Sequence, residues 1–295
     1  MIYILKNRYK IGLLFLSPFF LFYFTYFLLP ILYNCYLSFF FWDGISPDIK
    51  FAGLDNWKQI FFHDKVINQC LINNLILLFT SLFIQLPLAF IMSAFLNEIK
   101  KFTRFFKVLL FLPFILSDII ISILWKNIFH TNYGLLPNII NLFTKQDLFI
   151  NLLANPFFAL LSIVFTITWY HTPFYMILFS AGILSIPRTT YDAAVIDGVK
   201  RWQKYLYIVF PILWKDVFRV AVLICIVNSI KHFTVPFIIT EGGPGHATDL
   251  LSMYVYRKAF TFNQISYACA IGVFMLYISF ILFFAFRFIL GFKKK

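Results

Sequence analysis

Charged residues are scarce in this chain, and that scarcity excludes the water-soluble globular proteins. Asp, Glu, Lys and Arg make up 13% of its 295 residues, against 61% for hydrophobic residues, and 42 residues are Phe. Soluble domains average about a quarter charged residues. A chain with so few charges cannot cover the surface of a soluble domain of this size. The composition therefore predicts a protein that lies mostly within a membrane.

Motifs that carry chemistry are also missing. The sequence has no G-x-x-x-x-G-K-[ST] loop to hold the phosphates of ATP, no H-E-x-x-H pair and no G-x-S-x-G elbow. The four cysteines, Cys35, Cys70, Cys225 and Cys269, show no metal or redox spacing, and three of them lie in apolar runs. We expect them to be small packing residues. The sequence predicts no catalytic residue, no metal site and no cofactor in this chain.

Long apolar runs are abundant, and six of them are long enough to cross a bilayer. A spanning helix needs about 20 mainly apolar residues. The predicted spans are Ile11–Phe41, Ile72–Leu96, Phe105–Ile128, Phe157–Leu184, Val217–Thr240 and Ile265–Leu290. The first run is too long for a cleaved signal peptide. The sequence thus predicts an all-α membrane protein with six transmembrane helices.

The basic residues carry a topological signal. They outnumber acidic residues by 25 to 12, for a net charge of +13. Most of the basic residues lie in alternate loops, which face the same side of the membrane. These are the segment before the first span, the loops after the second and fourth, and the segment after the sixth, with Lys6, Lys100, Lys200 and Lys293 as examples. Because cytoplasmic loops carry an excess of Lys and Arg, both termini are predicted to be cytoplasmic. The charge indicates topology, and we expect no nucleic-acid partner.

One polar stretch, Tyr191–Pro211 (YDAAVIDGVKRWQKYLYIVFP), interrupts the apolar sequence between the fourth and fifth spans. Asp192, Ala193 and Ala194 predict a short helix, because alanine has a high helix propensity and an acidic residue suits the positive end of the helix dipole. Gly198 can adopt the left-handed conformation that ends such a helix. Small alanine side chains would let this helix lie in a groove of another protein. The alternative interpretation is an ordinary connecting loop.

The same stretch resembles the EAA loop of binding-protein-dependent ABC importer permeases, where Glu-Ala-Ala, three residues, Gly, nine residues and Ile-x-Leu-Pro recur. Asp192 stands where that family usually has Glu, and Phe210 where it usually has Leu. The segment from Phe51 (FAGLDNWKQIF) is similar to one common in sugar permeases, and Thr240–Pro244 resembles the family's external Thr-x-Gly-Gly-Pro. These matches extend the resemblance over nearly the whole chain.

The resemblance implies a type I ABC importer permease fold of the carbohydrate, or maltose, type. It implies a first helix with its outer loop over residues 1–66, and a core permease domain of five spans over 67–295. The core would contain a cytoplasmic coupling loop at 188–213 that docks into the ATPase subunit. The coupling residues so implied are Asp192, Ala193, Ala194, Asp197, Gly198 and Pro211, with Pro211 marking the start of the next apolar run.

Polar residues inside the spans are candidates for the substrate pathway. Asp118 sits in mid-span, where a carboxylate should face the bundle interior, either toward a translocation cavity or in a structural hydrogen bond between helices. Lys231 could pair with Asp118 or meet the substrate. The fourth span places aromatic and polar groups before Pro173, and we expect His171 there to be a packed residue. The candidate set is Asp118, Trp169, Tyr170, Asn228 and Lys231.

These features predict a permease subunit that carries a sugar or related polyol, glycerol 3-phosphate included, across the bacterial cytoplasmic (inner) membrane. The resemblance implies a second permease subunit, usually in a heterodimer. It also implies two separate ATPase subunits that bind the ATP, and an extracytoplasmic solute-binding protein. The alternative from another class is a secondary transporter or channel that works alone.

Overall fold

The computed structural model describes residues 2–99, 101–144 and 151–289, and they are helical almost throughout. Lys100, Leu290 and Lys293, which were named above, lie outside these ranges. The helices in chain order are α1 Ile2–Tyr23, α2 Leu29–Leu37, α3 Asp55–Lys58, α4 Lys65–Thr80, α5 Leu86–Glu98, α6 Thr103–Ile115, α7 Asp118–Ile128, α8 Leu135–Thr144, α9 Pro156–Ser185, α10 Arg188–Ile196, α11 Arg201–Gln203, α12 Phe210–Leu213, α13 Arg219–Lys231, α14 Thr234–Thr240, α15 Leu251–Tyr256 and α16 Ile265–Ile289. Two short strands, β1 Phe40–Phe41 and β2 Lys50–Phe51, pair antiparallel. The predicted all-α class is confirmed.

Several helices continue into one another through π-helical segments, and three of these segments end two residues before a proline. Phe24–Leu28 precedes Pro30, Ser81–Gln85 precedes Pro87, and Lys204–Val209 precedes Pro211. Proline has no N–H to donate, and its ring clashes with the carbonyl four residues earlier, so a wider turn relieves the helix. Pro211 therefore lies inside a helical run from 201 to 231. It does not mark the start of a new span, as the sequence suggested.

Among the residues that the structure describes, four continuous helical runs are long and apolar enough to cross a membrane: Leu13–Leu37, Lys65–Glu98, Pro156–Ser185 and Ile265–Ile289. They correspond to the first, second, fourth and sixth predicted spans. The third span is bent by 89° between α6 and α7, and it makes a fifth crossing if that pair counts as one. The Ser117 hydroxyl caps α7 by accepting from the Ile119 N–H at 3.3 Å, which stabilises the new helix start after the bend.

The fifth predicted span, Val217–Thr240, is not one helix in the structure. It divides at His232 and Phe233, between α13 and α14. Pro236 lies four residues after His232 and cannot donate a hydrogen bond to its carbonyl. The Ser252 hydroxyl donates to that carbonyl instead. Pro236 thus explains the break, and a side chain from α15 supplies the hydrogen bond that the His232 carbonyl would otherwise lack.

The chain folds into two compact units. One comprises Met1–Asp64 and Val255–Tyr277, and the other comprises Lys65–Tyr254 and Ile278–Lys295. In the first unit the Tyr267 hydroxyl donates to Asp64 at 2.8 Å, and the Ser266 N–H donates to the Trp42 carbonyl at 3.2 Å. The division into a domain of 1–66 and a core permease domain of 67–295 stays a prediction.

The second unit has its main core where α5, α9 and the 209–226 segment meet. Leu86, Met176, Phe179 and Val209 are at most 2% exposed there. Gly182 allows close approach, because a Cβ at this position would lie 2.7 Å from Cγ2 of Val217. This core holds α9 against the start of α13, and therefore fixes the two helices that carry most of the candidate pathway residues.

Candidate coupling surface and translocation cavity

Four of the five predicted pathway residues line one cavity in the second unit. The cavity has a volume of about 430 Å³, and its lining includes Asp118 at the start of α7, Tyr170 on α9, and Asn228 and Lys231 on α13. The rings of Phe114, Phe174 and Phe233 line it as well. Its volume lies within the range of about 300–1,000 Å³ typical of small-molecule sites. The sequence therefore identified residues that do come together, although they lie far apart along the chain.

Asp118 is held by Tyr170. The Tyr170 hydroxyl donates to Oδ1 of Asp118 at 2.6 Å and lies 3.0 Å from the Leu116 carbonyl oxygen. Asp118 also begins α7, so it occupies the positive end of a helix dipole instead of the middle of a continuous span. The mid-span interpretation is thus wrong in detail. A helix start and one phenolic donor supply the stabilisation that a carboxylate in an apolar environment requires.

Lys231 faces the same cavity without a protein partner. Its side chain is exposed, and the structure gives its ammonium group no ion pair or hydrogen bond to any described residue. Of the two possibilities that the sequence left open for Lys231, the pair with Asp118 is not formed in this structure, where Asp118 accepts from Tyr170. An ammonium group that lies in a cavity without a partner is available to a ligand.

Two histidines complete the polar part of the cavity. His171 and His232 both line it, and their ring centroids lie 5.0 Å apart in an edge-to-face arrangement. The His171 ring also lies 3.1 Å from the Ile167 carbonyl oxygen, which agrees with the expected packed role. Sequence reasoning missed His232. The signal that could have identified it was Pro236, because a proline four residues later places His232 at a helix break.

Trp169 does not join this group. It packs against Trp125 of α7, with ring centroids 5.3 Å apart, and it does not line the cavity. Adjacent side chains on a helix differ in direction by about 100°. The step from Tyr170 to His171 stays within the cavity lining, and the step from Tyr170 to Trp169 leaves it. Of the two neighbouring aromatic candidates, the structure brings only Tyr170 to the cavity.

The segment after α14 is fastened to α4 by a pair of buried asparagines. Asn73 Nδ2 donates to the carbonyls of Ala247 and Asp249, each at 2.9 Å. Asn74 Oδ1 accepts from the Leu251 N–H at 3.1 Å, while its Nδ2 donates to the Ser229 carbonyl at 2.6 Å. Asn74 therefore joins α4, α13 and the start of α15. It fixes the end of α13, where the cavity residues Asn228 and Lys231 lie.

The predicted coupling segment, residues 188–213, begins with α10. This helix ends just before Gly198, as expected. Gly198 has a φ of +69°, in the left-handed region. The Gly198 N–H donates to the Val195 carbonyl at 3.1 Å, and the Val199 N–H donates to the Ala194 carbonyl at 3.0 Å. This is the Schellman pattern of a helix end. The predicted conformation of Gly198 is confirmed.

The two alanines of α10 differ in exposure. Ala194 is only 4% exposed and packs within its own chain, while Ala193 is exposed. The docking of Ala194 on an ATPase subunit, which the resemblance implied, stays a prediction, and in this structure its side chain is covered by its own chain. Val195 and Ile196 are 74% and 85% exposed. The exposed face of α10 is thus apolar at Ala193, Val195 and Ile196, and Asp192 and Asp197 lie exposed beside them.

Glu98, the last residue of α5, binds the part of the coupling segment that follows Gly198. It accepts from Lys204 Nζ at 2.5 Å and from the Tyr205 hydroxyl at 2.8 Å. Burial raises the pKa of Tyr205 above its ordinary value, and the hydrogen bond to Glu98 raises it further. Burial also raises the pKa of Tyr191, with the negative charge of Glu98 as a second cause. Both phenols are therefore neutral donors at physiological pH.

The cysteines and acidic residues form no metal centre in the part of the chain that the structure describes. No group of three or more His, Cys, Asp or Glu side chains is placed there to hold a metal ion. All four cysteines are free thiols, and Cys70 and Cys225 are buried. Cys225 belongs to the main core of the second unit. Its position agrees with the predicted packing role.

The chain matches the family described as "Binding-protein-dependent transport system inner membrane component" over residues 71–292. It is 33% identical over 253 residues to the probable ABC transporter permease protein YurN of Bacillus subtilis (strain 168), covering 85% of this chain and 86% of YurN. It is 32% identical over 273 residues to the lactose transport system permease protein LacF of Rhizobium radiobacter, covering 91% and 90% of the two chains.

The fold is shared with a solved transporter. A chain in the crystal structure of a bacterial ABC transporter involved in the import of the acidic polysaccharide alginate superposes with a TM-score of 0.84 at 20% identity, over 99% of each chain. The arrangement of helices is therefore that of an ABC transporter permease. This chain belongs to the family of binding-protein-dependent ABC transporter permeases and is an inner membrane component of such a system.

Proposed function

We propose that this permease carries a sugar or a related polyol across the bacterial cytoplasmic membrane. The observation that carries the proposal is the 430 Å³ cavity, in which Asp118, Asn228 and Lys231 converge from two helices beside aromatic rings. Asp118 can accept hydrogen bonds, Lys231 can donate them, and Asn228 can do both. Sugars and polyols present hydroxyl groups that need this mixture of donors and acceptors. The relative named for lactose transport supports the same substrate class.

The positive charge of Lys231 in the cavity is also compatible with an acidic substrate. Lys231 has no described protein partner, and an ammonium group can neutralise a carboxylate or phosphate on a sugar or polyol as well as donate to a hydroxyl. The solved relative is described with an acidic polysaccharide. We therefore include uronates and glycerol 3-phosphate among the substrates to be tried beside neutral sugars.

The transport cycle proposed for this chain requires partners. The chain pairs with a second permease subunit in a heterodimer, and two ATPase subunits bind and hydrolyse the ATP while this chain binds none. The exposed apolar face of α10, at Ala193, Val195 and Ile196, lies against one ATPase subunit. Exposed apolar patches of this kind mark protein contact sites. An extracytoplasmic binding protein delivers the substrate, and both termini lie in the cytoplasm.

A panel of labelled substrates tests the proposed class. Proteoliposomes containing the whole transporter are assayed with neutral sugars, acidic sugars and glycerol 3-phosphate. The wild-type chain is compared with Lys231→Met and with Lys215→Met, an exposed lysine on the same helical run that serves as the control. We expect uptake of at least one of these compounds, a higher KM for Lys231→Met and a normal KM for the control. Uptake confined to another class, such as amino acids or metal ions, would contradict the proposal.

A further inference from the structure

Glu98 makes a long-range connection that has no role in the cavity. It lies at the end of α5, and Lys204, its closest partner, is 106 positions further along the chain. The Lys204 and Glu98 side chains are only 20% and 29% exposed, so solvent screens the pair less than it screens an ordinary surface ion pair. Arg201 is 3.9 Å from Glu98 but 87% exposed, and we give it little weight. Of these two ionic contacts of Glu98, the one with the Lys204 ammonium is therefore the stronger.

Lys204 lies at the centre of a small cluster that includes residues of the coupling segment from before and after Gly198. Its ammonium is 4.8 Å from the ring centroid of Tyr205 and 5.7 Å from that of Tyr191. These distances are within the range of cation–π attraction. Tyr191 belongs to α10, and its hydroxyl donates to the Ile183 carbonyl near the end of α9 at 3.0 Å. The cluster therefore connects α10, the helix that follows it, and α5.

Helix α5 is firmly held in the core of the second unit. Leu86, Ala89 and Leu96 are at most 2% exposed, and Asn97 Nδ2 donates to the Ser180 hydroxyl of α9 at 3.2 Å. A displacement of α10 that reaches Glu98 would therefore move a packed helix. Without Glu98, the same displacement could be absorbed by the turn at Gly198, where a Cβ would find nothing within 4 Å.

We propose that Glu98 is a positioning residue for energy coupling, which holds Lys204 and Tyr205 so that motion of α10 is transmitted to α5. The inference rests on the proposed function, because it assumes that an ATPase subunit moves α10. Glu98 does not touch substrate or nucleotide in this account. Its effect should appear in the amount of substrate moved for each ATP hydrolysed. It should not appear in substrate affinity.

The experiment uses the complete transporter in proteoliposomes, with ATP hydrolysis and substrate uptake measured in the same samples. Glu98→Gln keeps the length of the side chain and an oxygen acceptor for Tyr205, but it removes the charge that binds Lys204. We expect it to assemble and to hydrolyse ATP, with the uptake per ATP reduced by about fivefold or more and an unchanged substrate KM. The exchange Glu98→Lys with Lys204→Glu should restore at least half of the loss. Asp216→Asn, at an exposed acid on the same helical run, is the control.

Three outcomes decide the inference. Normal uptake per ATP in Glu98→Gln would overturn it. Failure of both Glu98→Gln and the charge exchange to assemble would also overturn it, because the cluster would then serve folding alone. A wild-type complex that performs no ATP-driven uptake would contradict the proposed function. In that case hydrogen exchange of the α10 amides still decides the positioning role, since Glu98→Gln should accelerate that exchange by about tenfold and unchanged exchange would refute it.

Discussion

Asn74 and Leu251 are 177 positions apart, and they meet through a hydrogen bond of 3.1 Å from the Leu251 N–H to the Asn74 side-chain oxygen. The other end of the same amide donates to the Ser229 carbonyl at 2.6 Å. Both polar ends of a side chain that is 4% exposed are therefore satisfied by backbone groups from two other segments. This residue fixes the end of α13 beside the cavity.

Replacement of Asn74 should destabilise the chain. Asn74→Leu leaves the Leu251 N–H and the Ser229 carbonyl without partners, and each buried unsatisfied group costs about 1–3 kcal/mol. We expect a lower midpoint of thermal unfolding in detergent and weaker uptake. Asn68→Leu, at an exposed position on the same helix, is the control and should unfold like the wild type. Equal unfolding midpoints for Asn74→Leu and the wild type would show that this amide contributes little.

Asp118 and Lys231 should act independently. The structure pairs Asp118 with Tyr170 and does not pair it with Lys231. We therefore expect Asp118→Asn and Lys231→Met each to impair uptake, and the double variant to show the sum of the two losses in free energy. Uptake kinetics of the four proteins provide the double-mutant cycle. Recovery in the double variant would indicate a direct pair and would contradict the arrangement described here.

Tyr170→Phe isolates the hydrogen bond to Asp118. Tyr170 is 5% exposed, and its ring keeps its packing in the variant, while the 2.6 Å contact is lost. Removal of one partner from a hydrogen bond to a charged group costs about 1.5–3 kcal/mol. We expect normal assembly with a raised KM for substrate, because Asp118 is no longer held in place. Tyr133→Phe, at an exposed tyrosine, is the matched control, and equal kinetics of the two variants would remove Tyr170 from the site.

The turn at Gly198 should be sensitive to backbone conformation and insensitive to side-chain volume. Its φ is +69°, and a Cβ there would meet nothing within 4 Å. A left-handed conformation costs a residue other than glycine about 1–2 kcal/mol, and asparagine tolerates it best. Gly198→Val should reduce ATP-driven uptake strongly, while Gly198→Asn should retain most of it. If valine and asparagine have the same effect, the conformation of the turn does not matter for coupling.

Several features could be predicted from the sequence because they depend on local chemistry. The left-handed Gly198, the short helix before it and the long apolar helices follow from residue propensities and from the length needed to cross a bilayer. The gathering of Asp118, Tyr170, Asn228 and Lys231 was predicted only as a set of candidates. Their common feature is that polar groups in apolar runs must face inward.

Other features depend on contacts between distant segments, and no local pattern reports them. Glu98 reads as an ordinary acid at a helix end, yet its partners lie more than 100 positions away. The different exposure of Ala193 and Ala194 depends on which side of α10 packs on the core. The break at His232 required both Pro236 and the Ser252 hydroxyl. Such relations become visible only when the packed helices are known.

The most direct test of the whole account measures whether α10 holds the ATPase subunit and whether uptake requires ATP. The complex with its ATPase subunits is purified from cells that produce the wild-type chain, Ile196→Asp or Ile45→Asp, the last at an exposed apolar position in the loop between β1 and β2. The complex is then assayed in proteoliposomes for uptake with and without ATP. The account predicts uptake that requires ATP, retention of the ATPase by the wild type and by Ile45→Asp, and loss of the ATPase from Ile196→Asp. Uptake by the chain alone, without any ATPase subunit or ATP, would contradict it.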